Sequence, residues 1–137
     1  MQVTIVIPNY NGKHFMKPCL ESLDRQTCKD FEIIVVDNAS SDGSIEYMKE
    51  TYPDIHCIGL DKNYGFSRAV NEGIRASRTP YVILLNNDTT VDPRYVEEMV
   101  KAIRKSKRIF SVSSKMIQMY HPELIDSAGD LYTLMGW

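Results

Sequence analysis

Tyr81-Val82-Ile83-Leu84-Leu85-Asn86-Asn87-Asp88-Thr89 sets an apolar run against a polar turn. A short run rich in Val, Ile and Leu reads as a buried strand of a parallel sheet. The pattern occurs earlier too, where Ile33-Ile34-Val35-Val36 gives way to Asp37-Asn38-Ala39-Ser40. Open α/β sheets bind ligands in the crevice outside the carboxyl ends of their strands. Two acids at two such ends, Asp37 and Asp88, therefore point to one polar site.

The flanking sequence supplies the rest of an α/β pattern. Val3-Thr4-Ile5-Val6-Ile7 is a first strand, closed by the dense turn signal Pro8-Asn9-Tyr10-Asn11-Gly12. Residues 14–26 repeat Phe15, Cys19, Leu20 and Leu23 at helical spacing. Residues 31–36 are the second strand. Ser40, Ser41, Asp42 and Ser44 offer N-caps for a helix over residues 45–51. Pro53 ends that helix, and residues 55–60 are a third strand. A polar loop over residues 61–66 leads to a helix over residues 67–77, and residues 81–85 are the fourth strand.

Asp92-Pro93 is an N-cap followed by proline at the first helical position. Tyr95, Val96, Met99, Val100 and Ile103 form that helix's buried stripe, and the basic run 101–108 suits its C-terminal end. Residues 109–117 read as a fifth strand, and residues 124–130 as a short strand and turn. The alternation predicts one α/β domain over residues 1–137: a mostly parallel sheet, helices on both faces, the first strand central.

Size and composition fit such a domain. The chain has 137 residues, 43% hydrophobic and 25% charged, with a net charge of −2. That balance gives no reason to expect nucleic acid as a partner. No apolar stretch reaches the length of a membrane span, and no signal peptide is read at the N-terminus. Cys19, Cys28 and Cys57 lack CxxC spacing and read as reduced thiols of a cytoplasmic protein. His14, His56 and His121 are scattered, and none is read as catalytic.

The loops at the strand ends carry Pro8 to Asn11, Asp37, Asp42, Asn63, Arg68, Asn86, Asn87 and Asp88. No GxxxxGK[ST], no GxGxxG after the first strand, no GxSxG and no HExxH is present. What remains is a nucleotide diphosphate held through a cation. Mg²⁺ typically takes one or two protein carboxylates together with substrate phosphates, a role open to Asp88. Asp37 is the better-placed acid to accept a hydrogen bond from a ribose or from the N3–H of uracil or thymine. Tyr10 offers a ring for stacking. Each has a plainer structural alternative: Asp37 as a turn former, Asp88 as a cap, Tyr10 as a packing aromatic, Arg68 as a solvated helix residue, Asn63 as a loop brace.

Four stretches, Val6 to Gly12, Val35 to Gly43, Asn63 to Asn71 and Leu84 to Thr89, resemble family 2 glycosyltransferases in order and spacing, closest to a rhamnosyltransferase-like branch, over about residues 2–130. The resemblance implies a Rossmann-like GT-A domain, C-terminally truncated, that binds a UDP- or dTDP-sugar and transfers the sugar with inversion. It implies that Pro8, Asn9 and Tyr10 meet the nucleotide, Asp37 the base N3–H and Asn87 the ribose. Asn63, Gly65 and Arg68 would wall the sugar and phosphates, and Asp88 would hold Mg²⁺ or Mn²⁺. The acceptor would be a cell-surface saccharide or a lipid-linked one, at the inner face of the membrane.

The family's DxD-type motif is Asn86-Asn87-Asp88 here, with one carboxylate in place of two. The resemblance also implies an acceptor-binding half that supplies the general base. Residues 120–137 are expected to begin it, leaving the catalytic base outside the chain, with Asp126 and Asp130 as the only late acids. Tyr120, Leu131, Tyr132, Leu134, Met135 and Trp137 are expected to pack there or in self-association. The alternative function is a nucleotide-sugar-binding module without catalysis. A phospho-acceptor domain would need more acids at the first strand's end, where Pro8-Asn9-Tyr10 stands.

Overall fold

The computed structural model describes residues 1–118 and 120–127. Its contacts divide the chain into two units, Met1–Tyr95 and Val96–Trp137.

The first unit holds strands β1 (Val3–Asn9), β2 (Phe31–Asp37), β3 (His56–Gly59) and β4 (Tyr81–Leu84), with helices α1 (Lys13–Asp24), α2 (Ser44–Thr51) and α3 (Phe66–Ala76) between them. The strands form one parallel sheet in the order β3-β2-β1-β4, so β1 is interior as its sequence predicts. Ile5, Val6, Ile7, Val35 and Val36 are fully buried. Each such side chain contributes about 1.5–3 kcal/mol of burial free energy.

Chain order explains the layers. The path steps outward from β1 through α1 to β2, and through α2 to β3. It then returns through α3 across the sheet to β4. Right-handed crossovers put α3 on the face opposite α1 and α2. On that face Val6, Ile34, Val36 and Ala69 cluster. A Cβ on Gly73 would lie 2.3 Å from Val6 Cγ1, so the helix rests close on the strands. On α1, Met16, Cys19, Leu20 and Leu23 are buried.

The expected caps around residue 42 take a particular form. Asp42 Oδ2 accepts the Lys13 N–H at 2.9 Å, and its Oδ1 accepts the Ser44 N–H at 3.1 Å and the Ser44 hydroxyl. One carboxylate thus serves the first turns of both α1 and α2. Partial burial pushes its pKa up, but these bonds outweigh that and hold it below the usual carboxylate value.

The second unit begins within α4 (Tyr95–Ile103), where Val96 is fully buried, and contains β5 (Met116–Ile117) and β6 (Ile125–Ser127) as an antiparallel pair. This corrects the expected fifth strand over residues 109–117. Only its last two residues are extended and paired, and their partner is the segment read as a short strand. A strand needs a neighbour to take its backbone groups, and residues 109–115 have none among the described residues. Phe110, apolar in pattern, is 97% exposed. The turn expected after residue 127, Asp130 and the apolar residues from Leu131 to Trp137 lie outside the described residues. Asp126 is exposed. No helix among the described residues is long and apolar enough to cross a membrane.

Candidate functional site

The turns after β1, β2 and β4 and the loop before α3 meet at the carboxyl edge of the sheet. Between β1 and β4 the chain reverses its direction of travel, which is where open α/β sheets form a crevice. A cavity of about 360 Å³ lies there, lined by Pro8, Asn9, Tyr10, Asn38, Asn63, Gly65, Phe66, Ala69, Asn86, Asn87 and Asp88. That volume falls in the range of small-molecule sites.

Of the residues singled out in the sequence, Pro8, Asn9, Tyr10, Asn63, Gly65, Asn87 and Asp88 line the cavity, and Asp37 and Arg68 do not. Asp37, expected to meet a base, is 1% exposed. Its Oδ1 accepts Asn9 Nδ2 at 2.7 Å and the Ser40 hydroxyl at 2.7 Å, and its Oδ2 accepts the Ser40 N–H at 2.8 Å. The cause is register. β1 and β2 pair Asn9 directly with Asp37, which sets their side chains next to each other inside the sheet. Ala39, at φ 59, then turns the chain back so that Ser40 closes on the carboxylate. That left-handed conformation costs a non-glycine residue about 1–2 kcal/mol. Arg68 lies outward: its Nε donates to Glu72 Oε1 at 2.7 Å, and its guanidinium stands 5.2 Å from the Tyr64 ring centre.

Asn38, Phe66 and Ala69 are wall residues that the sequence reading did not single out. Asn38 is 4% exposed and ties down the loop before α3. Its Nδ2 donates to Asn63 Oδ1 at 2.9 Å and to the Gly65 carbonyl at 3.1 Å, while its Oδ1 accepts the Tyr64 N–H at 2.9 Å. Gly65 stands at φ 84, ψ 168, a region essentially reserved for glycine. Phe66 carried a signal in its composition, a large aromatic inside a polar loop; it is 59% exposed on the cavity wall. Tyr10, at 53%, is the other open aromatic there.

The turn after β4 is built differently. Thr89 N–H and Oγ1 both donate to the Asn86 carbonyl, at 3.3 and 2.6 Å, so Asn87 and Asp88 occupy the middle of a tight turn. Asn87 Nδ2 donates to Asn9 Oδ1 at 2.7 Å. Asp88 is exposed, and no hydrogen bond or ion pair engages its carboxylate among the described residues. Behind the turn, the Cys19 thiol faces the Asn86 carbonyl at 3.9 Å. Burial, and then the charge of Asp88, push that thiol up to about 12.

These residues fit a cation only in one mode. No three His, Cys, Asp or Glu side chains stand together among the described residues. A lone open carboxylate suits a hard divalent ion that fills its shell with diphosphate oxygens and water, and does not make a protein-only cage.

Comparison with known proteins agrees with this architecture. A model of the family described as "Glycosyl transferase family 2" matches residues 4–123. The glycosyltransferase GlyA of Streptococcus pneumoniae serotype 4 is 35% identical over 104 residues, covering 74% of this chain and 15% of its own length. The chain spans 13% to 42% of the length of curated relatives of this kind. Among solved structures, residues 1–349 of TarS from S. aureus in complex with UDP superpose with a TM-score of 0.69 at 19% identity, over 86% of this chain and 40% of that one. The mannosyltransferase PcManGT from Pyrobaculum calidifontis, in complex with GDP-Man and Mn²⁺, gives 0.66 at 25% identity, over 76% and 32%.

Proposed function

The chain belongs to glycosyl transferase family 2, with a GT-A fold, and on that premise we propose that its cavity holds the nucleotide diphosphate of a sugar donor. The reaction served is transfer of the sugar, by single displacement with inversion, to a saccharide or lipid-linked acceptor. The observation that carries this reading is Asp88, an open carboxylate in a tight turn at the sheet's switch point, on the wall of a cavity otherwise lined by amides, two aromatic rings and the small residues Pro8, Gly65 and Ala69.

Each wall group has work it can do. Tyr10 and Phe66 offer apolar faces for a base or a sugar ring. Asn63, Asn87 and the backbone near Gly65 offer hydrogen-bonding groups to hydroxyls and phosphate oxygens. Asp88, with phosphate oxygens, would hold Mg²⁺ or Mn²⁺. A bound divalent ion supplies Lewis-acid neutralisation of the leaving diphosphate. The protein's part is to fix the donor so that the anomeric carbon presents one face to the acceptor. A UDP- or dTDP-sugar is the donor class we favour, through the resemblance of the motifs.

A binding module without turnover is the second reading. It is favoured by a single fact: among the described residues Asp88 is the only carboxylate on the cavity wall, and no second acid stands there as a base. One experiment addresses both. UDP, dTDP and GDP are screened by thermal shift with and without Mn²⁺, and donor hydrolysis and transfer are followed in parallel. A nucleotide-dependent rise in melting temperature is expected, with its Mn²⁺-dependent part lost in Asp88→Ala. No shift with any nucleotide sinks the donor-site reading. Binding with no turnover across a broad acceptor panel selects the module.

A further inference from the structure

We infer that Asp37 is a positioning residue for the Asn87-Asp88 turn, acting through the side-chain amide of Asn9. The inference rests on the donor-site reading above and adds a residue that touches no ligand.

The bonds run in one direction. Both oxygens of Asp37 already accept from Ser40, and Asn9 presents its NH₂ to the same carboxylate at 2.7 Å. That turns Asn9 Oδ1 to the opposite side, where Asn87 Nδ2 donates to it at 2.7 Å. Asn87 has then spent its NH₂ inside the protein. Its Oδ1, without a protein donor among the described residues, is the end left for a ligand. Reversing Asn9 would set oxygen against carboxylate and NH₂ against NH₂, an unfavourable contact at each end. Asn9 is 3% exposed, so bulk water has little access to replace either bond. The space is closed on a further side by Gly12, where a Cβ would stand 2.2 Å from Asn87 Nδ2 and 2.6 Å from Asn9 Oδ1.

The polarity of the relay selects what Asn87 can bind. An oxygen acceptor takes an O–H or N–H donor of the bound nucleotide, or would join a cation held by Asp88 directly or through its water. The buried acid at the end of β2 thereby sets the hydrogen-bonding character of the turn at the end of β4, two side-chain bonds away.

A swap of the first two groups tests this. Asp37→Asn and Asn9→Asp each break the sequence of donors and acceptors. The double variant restores it: the amide now at position 37 donates to the carboxylate now at position 9, which also takes the Ser40 hydroxyl that lies 3.3 Å from Asn9 Nδ2, and whose other oxygen accepts from Asn87. UDP and dTDP binding is measured by calorimetry with and without Mn²⁺, folding by circular dichroism, and the Asn87 side-chain NH₂ by ¹⁵N NMR. Each single variant is expected to weaken binding about tenfold, the equivalent of one hydrogen bond, with the double variant back to within about threefold. Weakening confined to the Mn²⁺ arm assigns the acceptor to the cation or its bound water, and weakening in both arms to a donor group of the nucleotide.

Single variants that fold and bind unchanged overturn the relay. So does a double variant that folds but binds no better than the weaker single, or that fails to fold along with both singles. If wild type binds no nucleotide, the donor-site reading falls, and the NMR arm still decides the relay. The Asn87 resonance must move in Asp37→Asn and return in the double variant; a resonance that does not move refutes the coupling.

Discussion

Asp37 and Asp88 follow the same kind of apolar run, yet one is a buried structural acid and the other an open one. The difference lies in how far each stands from the last paired residue of its strand. β2 is flanked by β1 and β3, and its ladder runs through Asp37, which pairs with Asn9 on one side and Gly59 on the other. β4 is paired only to β1 among the described residues, and its last residue is Leu84. The chain then leaves the sheet, and Asp88 arrives in a turn where no hydrogen bond or ion pair engages it among the described residues. An acid inside the ladder acquires donors; an acid beyond it stays open on the cavity wall.

The contrast breaks most sharply at the buried end. Asp37→Ala leaves the Asn9 NH₂ and both Ser40 donors without their acceptor, and stability should fall by about 3 kcal/mol or more. Urea denaturation at constant m-value measures it. A loss under about 1 kcal/mol would mean that Asp37 is no more embedded than Asp88.

Cys19 connects the two kinds of environment, since burial and the Asp88 charge both raise its thiol to about 12. A raised pKa means that the folded state keeps the proton after the unfolded chain, at 9.0, has released it. The corresponding stability is complete below pH 9 and is lost as pH rises toward 12, at up to about 1.4 kcal/mol per pH unit. Wild type should therefore lose stability faster than Cys19→Ala between about pH 9 and 11, as followed by thermal melts. Parallel curves would show that the thiol feels neither burial nor Asp88.

Asp42 tests the same logic at a half-buried site. Its lowered pKa contributes stability above the unfolded carboxylate value of 3.8 that disappears on acidification through the folded value. Asp42→Asn should flatten the acid limb of a stability–pH curve slightly, and an unchanged limb would remove it as a cap. The smallest effect belongs to Asp88→Ala without ligand. An exposed, unengaged carboxylate should change folding stability by less than about 0.5 kcal/mol. A larger loss would place Asp88 on the structural side of the comparison.

The fold was largely legible from local pattern. Runs such as residues 3–7 and 33–36 are too short and too apolar to be anything but buried strands once helical repeats separate them. The exception, residues 109–117, is instructive. β-branched content marks a segment able to extend, but extension persists only where a second segment pairs with it. The cavity wall was legible where polar residues sat in turns, as with Asn63, Asn87 and Asp88. It was not legible at Asn38, whose neighbour Asp37 has the stronger chemical signature.

By itself the sequence determined the order of strands and helices, the interior place of β1 and the cluster of amides and acids at the carboxyl edge. These follow from hydrophobic periodicity and turn chemistry, both local properties. Only the tertiary structure decided which acid faces the cavity. That depended on the β1–β2 register, which sets Asn9 against Asp37, and on where β4 leaves the ladder. Register is a relation between distant segments, and no residue carries it alone.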